Sequence, residues 1–318
     1  MLRYIFRRLL FAIPTVFGVT VLIFVMMKVL PGDPLHTFVD PLQGGRLSPA
    51  ERANLMAKLG LDRPLVVQYG VWVGSILKGD LGSSFLLNQS IAESIRRRGA
   101  ISAEIGIISI VISWLVGLPV GIISALRPNS KSDTGASFMA VLFLAIPSFW
   151  LAMMIVIFLL EGWGYHAPII SSQLWQDPWK NLQIVGPPGI ILGLGQAALI
   201  ARMSRSSLFE VFREDYVRTA RSKGLRESMV LARHALPNAL LPVLTLSGLS
   251  LGFILGGSVV VEKAFGTPGL GNKLFSALSQ RDATTVQALA FVYSMIFVLA
   301  NLLVDIAYTR VDPRITVD

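Results

Sequence analysis

The chain has 318 residues, of which 53% are hydrophobic and 15% charged, and its mean hydropathy is +0.64. Because a soluble domain usually carries about 25% charged residues, this composition excludes an ordinary soluble enzyme and indicates a polytopic membrane protein. The net charge of +9 does not point to nucleic acid, since most basic residues outside the first long loop flank apolar runs. With no cysteine, the chain has no disulfide, thiolate metal ligand or cysteine nucleophile.

Charge-free apolar runs that meet or nearly meet the length of a membrane helix, about 20 residues, occur six times. No β-barrel alternation is present, so the pattern predicts an all-α, polytopic membrane bundle of six transmembrane helices. The first run is too long for a signal-peptide core, so we expect a retained signal anchor. The fourth is expected to start effectively at Pro187 or Pro188, because a first-turn proline lacks only an unused N–H. The runs are 9–27, 105–126, 134–160, 181–201, 235–261 and 283–304.

The distribution of Lys and Arg predicts the orientation of the bundle. With the N-terminus inside, the inner segments carry most of these residues, so the positive-inside rule places both termini in the cytoplasm. The inner segments 1–8, 127–133, 202–234 and 305–318 carry 3, 2, 8 and 2 basic residues, and the outer loops 161–180 and 262–282 carry 1 and 3.

The segment 31–99 is predicted to be a small extracytoplasmic region. Ser48 and Glu51 form a capping-box pattern at the start of a helix that Gly60 ends. Further helices are expected over 66–77 and 91–98, and Pro31-Gly32-Asp33-Pro34 is a turn cluster.

The sequence contains no evident energy source. None of the six runs holds an ionisable residue, whereas ion-coupled carriers normally place carboxylates or histidines in mid-membrane. The nearest approach to a phosphate-binding loop, 266–273, has Asn where the motif requires Lys. The three histidines match no metal or catalytic spacing, so we expect a non-enzyme with no cofactor or metal of its own.

Glycines recur at four-residue spacing in two of the runs. This spacing places small residues on one helix face, where another backbone can approach closely. We expect helix packing at these faces, and a movement of the same faces during gating stays open as an alternative. The glycines are Gly117 and Gly121 in the second run and Gly248, Gly252 and Gly256 in the fifth.

The cytoplasmic segment 202–234 is more strongly patterned than a simple basic loop. A short helix is expected over 215–223, and Gly224 fits the left-handed position that ends it. A second helix should begin near Glu227, and Pro237 marks the entry to the next run. Two short helices across one end of a bundle make a compact knob suited to a groove on another protein.

The same segment resembles the EAA signature of ABC-importer permeases. Arg218-Thr219-Ala220, Gly224 and His234-x-Leu236-Pro237 stand at its spacing, Glu-Ala-Ala-x3-Gly-x9-Ile-x-Leu-Pro. Arg-Thr for Glu-Ala and His for Ile are departures typical of the dipeptide/oligopeptide subfamily. The resemblance covers nearly the whole chain and points to the first-type permease subunit, with its extended loop after the first helix. Further matching stretches are Arg7-Arg8-Leu9-Leu10, Gly79-Asp80-Leu81-Gly82, Gly256-Gly257-Ser258, Pro268-Gly269-x-Gly271 and Asp312-Pro313-Arg314.

The resemblance implies a heteromeric importer of the bacterial cytoplasmic membrane. Its expected partners are a second homologous permease, two cytosolic ABC ATPases that hold ATP and magnesium, an extracytoplasmic solute-binding protein and membrane lipid. The segment 66–77, within 31–99, and the loop 262–272 are candidate docking surfaces for the binding protein. The residues expected to couple to the ATPases are Asp215, Tyr216, Arg218, Thr219, Ala220, Arg221, Lys223, Gly224 and Leu225.

The expected substrates are dipeptides, oligopeptides or glutathione. Nickel chelates, opines or oligosaccharides stay open within the same importer class, and a self-contained channel or secondary carrier, or a membrane enzyme, outside it. We divide the chain into a tail and first helix (1–30), an extracytoplasmic region (31–99) and a five-helix core (100–318) that contains the coupling loop.

Overall fold

The computed structural model describes residues 2–29, 48–58, 60–84, 89–164 and 173–311. The predicted turn at 31–34 lies outside these residues. A π-helical turn, Leu231–Ala235, joins the ninth helix to the tenth. The described α-helices are α1 (Leu2–Val29), α2 (Pro49–Lys58), α3 (Leu65–Leu77), α4 (Ile91–Leu126), α5 (Lys131–Ala145), α6 (Ser148–Trp163), α7 (Pro178–Val211), α8 (Asp215–Ser222), α9 (Glu227–Val230), α10 (Leu236–Phe265), α11 (Leu270–Ser279) and α12 (Ala283–Val311).

Five of the described helical stretches are long and apolar enough to cross a membrane, and a bent pair forms a sixth candidate. α1, α4, α7, α10 and α12 confirm five of the predicted runs. The third run, 134–160, was expected to be one helix, and that expectation is wrong: α5 and α6 meet at 95°. The cause is Pro147, which disfavours the helical conformation at the residue before it; Ile146 is extended, with ψ 120°.

The contact between α4 and α7 forms the centre of the bundle. α7 buries 67% of its most apolar stretch, against 11–28% for the other four long spans. A Cβ added to Gly117 or Gly121 would lie 2.6 Å from the carbonyl oxygen of Ala197 or Ala201, so the two backbones touch. Gly117 and Gly121 therefore lie where α4 and α7 pack most closely, at the positions predicted for helix packing.

The start of α7 corrects a second expectation. The helix begins at Pro178 rather than at Pro187 or Pro188, and the Asp177 carboxylate caps it by accepting the Lys180 N–H at 3.1 Å. The later prolines lie inside the helix, where each removes a backbone hydrogen bond. Close packing of the surrounding turn, in which Val185 is buried, offsets that loss.

The region before α4 confirms the local predictions except at one boundary. The Ser48 N–H donates to Glu51 Oε2 at 2.9 Å and the Glu51 N–H to Ser48 Oγ at 3.3 Å, a reciprocal capping box. Gly60 has a positive φ of 64° after the end of α2. The predicted separate helix over 91–98 is instead the first part of α4. That helix runs without a break to Leu126 and contains Pro119.

Candidate functional site

The predicted coupling residues lie on one short helix and the turn that ends it. α8 confirms the helix expected from Asp215, and α9 begins at Glu227 as predicted. α8 follows the last turn of α7 and precedes the helical stretch 227–265, so it connects two long spans at the same end of the bundle.

Gly224 ends α8 in the conformation that the sequence predicts. Its φ is 78°, in the left-handed region. The Gly224 N–H donates to the Arg221 carbonyl at 2.9 Å and the Leu225 N–H to the Ala220 carbonyl at 3.4 Å. This pair of bonds is a Schellman motif. It turns the chain so that Leu225 packs back against the buried cluster of Val217, Ala220 and Val230.

One face of α8 is buried and forms a continuous contact with the long helices. Val217 and Val230 are fully buried in a cluster to which Val211 and Phe212, at the end of α7, also belong. Val211 and Phe212 pack equally against a second cluster, made by Ala125, Leu208, Ala235 and Ala239. A displacement of α8 would therefore press on the ends of α4, α7 and α10.

Polar contacts also join α8 to α9 and α10. Asn238, near the start of α10, donates to the Tyr216 hydroxyl at 3.0 Å. Partial burial raises the pKa of Tyr216 above its ordinary value. The Arg221 guanidinium donates to Glu227 at 2.5 and 3.2 Å and lies over the Phe212 ring.

The opposite face of α8 is open to solvent. The Arg218 side chain is 69% exposed and that of Asp215 95% exposed, and their contact at 3.4 Å is a surface ion pair that contributes little stability. Thr219, Arg221 and Lys223 are also exposed. α8 thus has a buried face anchored in the bundle and a polar, mostly basic face available to a partner.

The glycines of α10 divide into two kinds. A Cβ on Gly248 would lie 3.0 Å from Val304, and one on Gly252 3.0 Å from Phe297, so both face α12 closely. Gly256 has no atom within 4 Å of the corresponding position among the described residues. Of the three glycines predicted to share one packing face, Gly248 and Gly252 therefore pack against α12. Gly256 is exposed.

A partly buried ion pair lies at the same end of the bundle as α8. Asp133, at the start of α5, accepts from Arg205 Nε at 2.7 Å and Nη2 at 2.9 Å, and also from Ser124 Oγ and the Asn129 N–H. These bonds join α4, α5 and α7. Sequence reasoning missed the pair, since Asp133 reads as a loop residue and Arg205 as one more positive-inside charge.

A second buried carboxylate lies at the other end of the bundle. Glu262 is fully buried, and it accepts the Ser102 hydroxyl at 2.7 Å and the Asn272 N–H at 3.0 Å. Ser102 Oγ in turn accepts the Leu270 N–H at 2.8 Å, so the two side chains cap the start of α11. A Cβ on Gly269 would collide with Glu262 Oε2, which leaves room only for glycine. Lys263 and Gly266 of the loop 262–272 are exposed, and docking of a binding protein on this loop stays a prediction.

The described residues hold no group of three or more His, Asp or Glu side chains placed to bind a metal ion. Hydroxyls in the long helices mostly bond to their own backbone: Ser113 to Ile110, Ser247 to Val243 and Ser258 to Leu255. Ser109 also bonds across to the Gly189 carbonyl at 3.1 Å.

The long apolar helices define a multi-pass helical membrane protein. The chain belongs to the family of binding-protein-dependent transport system inner membrane components, whose model matches residues 117–317. A companion model for the N-terminal part of such components matches residues 1–99. The protein is a permease subunit of a binding-protein-dependent importer in the bacterial inner membrane.

Relatives match over nearly their whole length. The dipeptide transport system permease protein DppB of Alkalihalophilus pseudofirmus is 39% identical, with 99% of both chains covered. The oligopeptide permease AppB of Bacillus subtilis is 37% identical and the glutathione permease GsiC of Pectobacterium atrosepticum 39%, each over 99% of both chains.

Solved structures agree on the fold. The MetNI methionine ABC transporter in an inward-facing conformation superposes with a TM-score of 0.56 at 20% identity, covering 69% of this chain and 96% of that one. An amino acid ABC transporter gives a TM-score of 0.51 at 16% identity, covering 66% of this chain and 90% of that one.

Proposed function

We propose that this chain is one of two related permeases of an ATP-driven importer of dipeptides, oligopeptides or similar compounds such as glutathione. Relatives named for these substrates match it from end to end, which supports the substrate class. The observation that carries the coupling role is the arrangement of α8: its inner face packs on the ends of two long spans, and its outer face is polar and exposed.

In this proposal, two cytosolic ABC ATPases bind the exposed face of α8 on each permease. ATP and magnesium lie in those subunits, and this chain makes and breaks no covalent bond. Closure of the ATPases displaces α8, and the contacts of Val211 and Phe212 transmit the movement to α4, α7 and α10. The bundle then alternates between inward- and outward-open forms, with both termini in the cytoplasm.

The proposal is tested first by purifying the tagged chain from its native membranes in mild detergent and identifying its partners by mass. Recovery of a second permease of similar size together with ATPase subunits supports the heteromer. Recovery of the chain alone, or only with further copies of itself, contradicts it.

The substrate is tested on the same complex in proteoliposomes. The ATPase rate is measured with the solute-binding protein loaded with a dipeptide, with glutathione or with a nickel chelate. We expect stimulation by the peptide-loaded or glutathione-loaded protein. Stimulation by the nickel-loaded protein alone would overturn the peptide assignment and keep the importer class.

A further inference from the structure

The helix α3 is unusual among the short described helices because it is largely apolar although none of its residues is buried. Its 13 residues, Leu65–Leu77, include no charged side chain and none that is buried. Val66 is 81% exposed and Leu77 82%. Apolar helix surface of this kind is normally buried in a protein core or a membrane.

The position of α3 against α1 shows what surrounds it. The Tyr69 hydroxyl lies 2.9 Å from Thr20 Oγ1. Thr20 stands near the middle of the apolar stretch Leu9–Val29. At 1.5 Å per residue it lies about 13.5 Å from the Val29 end of the helix, nearly half the thickness of a bilayer core. A side chain of α3 therefore reaches deep into the level of the hydrocarbon.

Aromatic and polar contacts continue from Thr20 toward the Val29 end of α1. Phe24 packs edge-on against Tyr69, with ring centroids 5.5 Å apart, and stacks with Trp72 at 6.3 Å. One turn nearer the end of α1, Lys28 Nζ donates to Gln68 Oε1 at 2.6 Å. Tyr and Trp beside a Lys at a helix end are typical of the membrane interface.

Charges bound α3 at each end and are absent within it. Arg63 precedes the helix, and Lys78 and Asp80 follow it. The neighbouring α2 differs, since its ten residues include Glu51, Arg52 and Lys58. The chain thus presents one helix suited to water and one suited to lipid within the same region.

We propose that α3 lies within one leaflet of the bilayer, at the interface, with its apolar side chains among the acyl chains. The lipid-facing surface of α1 continues onto α3 through the contacts of Phe24, so the same lipid layer covers both. This assignment differs from the expectation that 66–77 docks a solute-binding protein. It goes beyond the proposed function and depends on no particular substrate.

The absence of cysteine from the natural chain permits a direct test. Val66→Cys, Val71→Cys and Leu77→Cys are each labelled with a nitroxide in the complete complex in lipid nanodiscs. Ala53→Cys, on the exposed surface of α2, is the matched control. Electron paramagnetic resonance then measures collision of each label with oxygen, which partitions into lipid, and with a water-soluble nickel complex.

We expect the ratio of oxygen to nickel collision rates to be several-fold higher at two or more of the α3 positions than at Ala53→Cys, and unchanged when the solute-binding protein is added. Labels on α3 that collide with nickel as readily as the control would overturn the proposal. If those labels become protected only when the binding protein is added, α3 is a protein-docking helix. Each label reports its own site, so the failure of one variant to fold leaves the others to decide.

Discussion

At the scale of single residues, Gly224 offers a test of the proposed coupling role in which the backbone conformation changes and side-chain packing does not. Its φ is 78°, and no atom of the described residues lies within 4 Å of the position that a Cβ would occupy. A substitution there meets no steric obstacle, so its cost comes only from the left-handed conformation. For a β-branched residue that cost is about 1–2 kcal/mol, which is on the order of tenfold in an equilibrium.

We therefore predict that Gly224→Val reduces peptide uptake per ATP hydrolysed roughly tenfold. The matched control is Gly224→Asn, since Asn tolerates the left-handed region and should retain most of the coupling. Uptake and ATPase rates are measured on the reconstituted complex at equal expression. Normal coupling in the Val variant would remove the reason for assigning Gly224 to the coupling element.

Glu262 is a residue whose environment predicts a structural rather than a transport effect. Each of its two carboxylate oxygens has a hydrogen-bond donor within the protein, the Ser102 hydroxyl for one and the Asn272 N–H for the other. Glu262→Gln replaces one acceptor by a donor and leaves one of these partners unpaired. We predict destabilisation of about 1–3 kcal/mol, the usual cost of a buried unsatisfied group.

The measurement is the Tm of the purified protein, and Glu161→Gln on the exposed end of α6 is the control for the change in chemistry. Ser102→Ala provides a second arm. Because Ser102 and Glu262 are bonded, the double variant should lose less than the two single variants combined. Additive losses, or an equal shift in the Glu161 variant, would show that the network does not hold α11 in place.

At the scale of elements, the helix contacts predict opposite results for two glycines. Gly121→Ala should lower the Tm by several degrees, because its new methyl group would lie 2.6 Å from the Ala201 carbonyl and force α4 and α7 apart. Gly256→Ala should not lower the Tm of the isolated chain, since the position is open among the described residues and alanine favours a helix over glycine. A drop in uptake by the Gly256 variant would indicate contact with a second subunit, and equal Tm losses would contradict the packing described here.

The elements also show which features a single sequence can predict. Caps and left-handed glycines are local, so the Ser48–Glu51 box and the end of α8 at Gly224 could be read directly. The 95° bend before Pro147 was missed because hydropathy does not register backbone direction. The burial of Glu262 was missed because neither partner is visible from local sequence. Ser102 is far from it in sequence, and Asn272 belongs to a loop that folds back on it.

At the scale of the whole molecule, burial is concentrated in one helix. α7 buries most of its apolar stretch, whereas α1 buries 11% and the apolar stretch of α12 17%. In a lipid environment such exposure carries no penalty, so helix faces can be shared between lipid and a neighbouring subunit. The exposed side of α10 around Gly256 and Phe253 is one such face. This distribution suits a subunit whose bundle is completed by others.

The orientation of the bundle is predicted from the distribution of charge alone. The segment 202–234 carries eight basic residues, and the loops 161–180 and 262–282 together carry far fewer. In intact cells with a permeable outer membrane, a membrane-impermeant maleimide should label Gln176→Cys, and it should label Ser132→Cys only after the inner membrane is opened. The cysteine-free natural chain gives the background. The reverse pattern would place α8 outside the cell, away from ATP, and remove the physical basis for coupling through it.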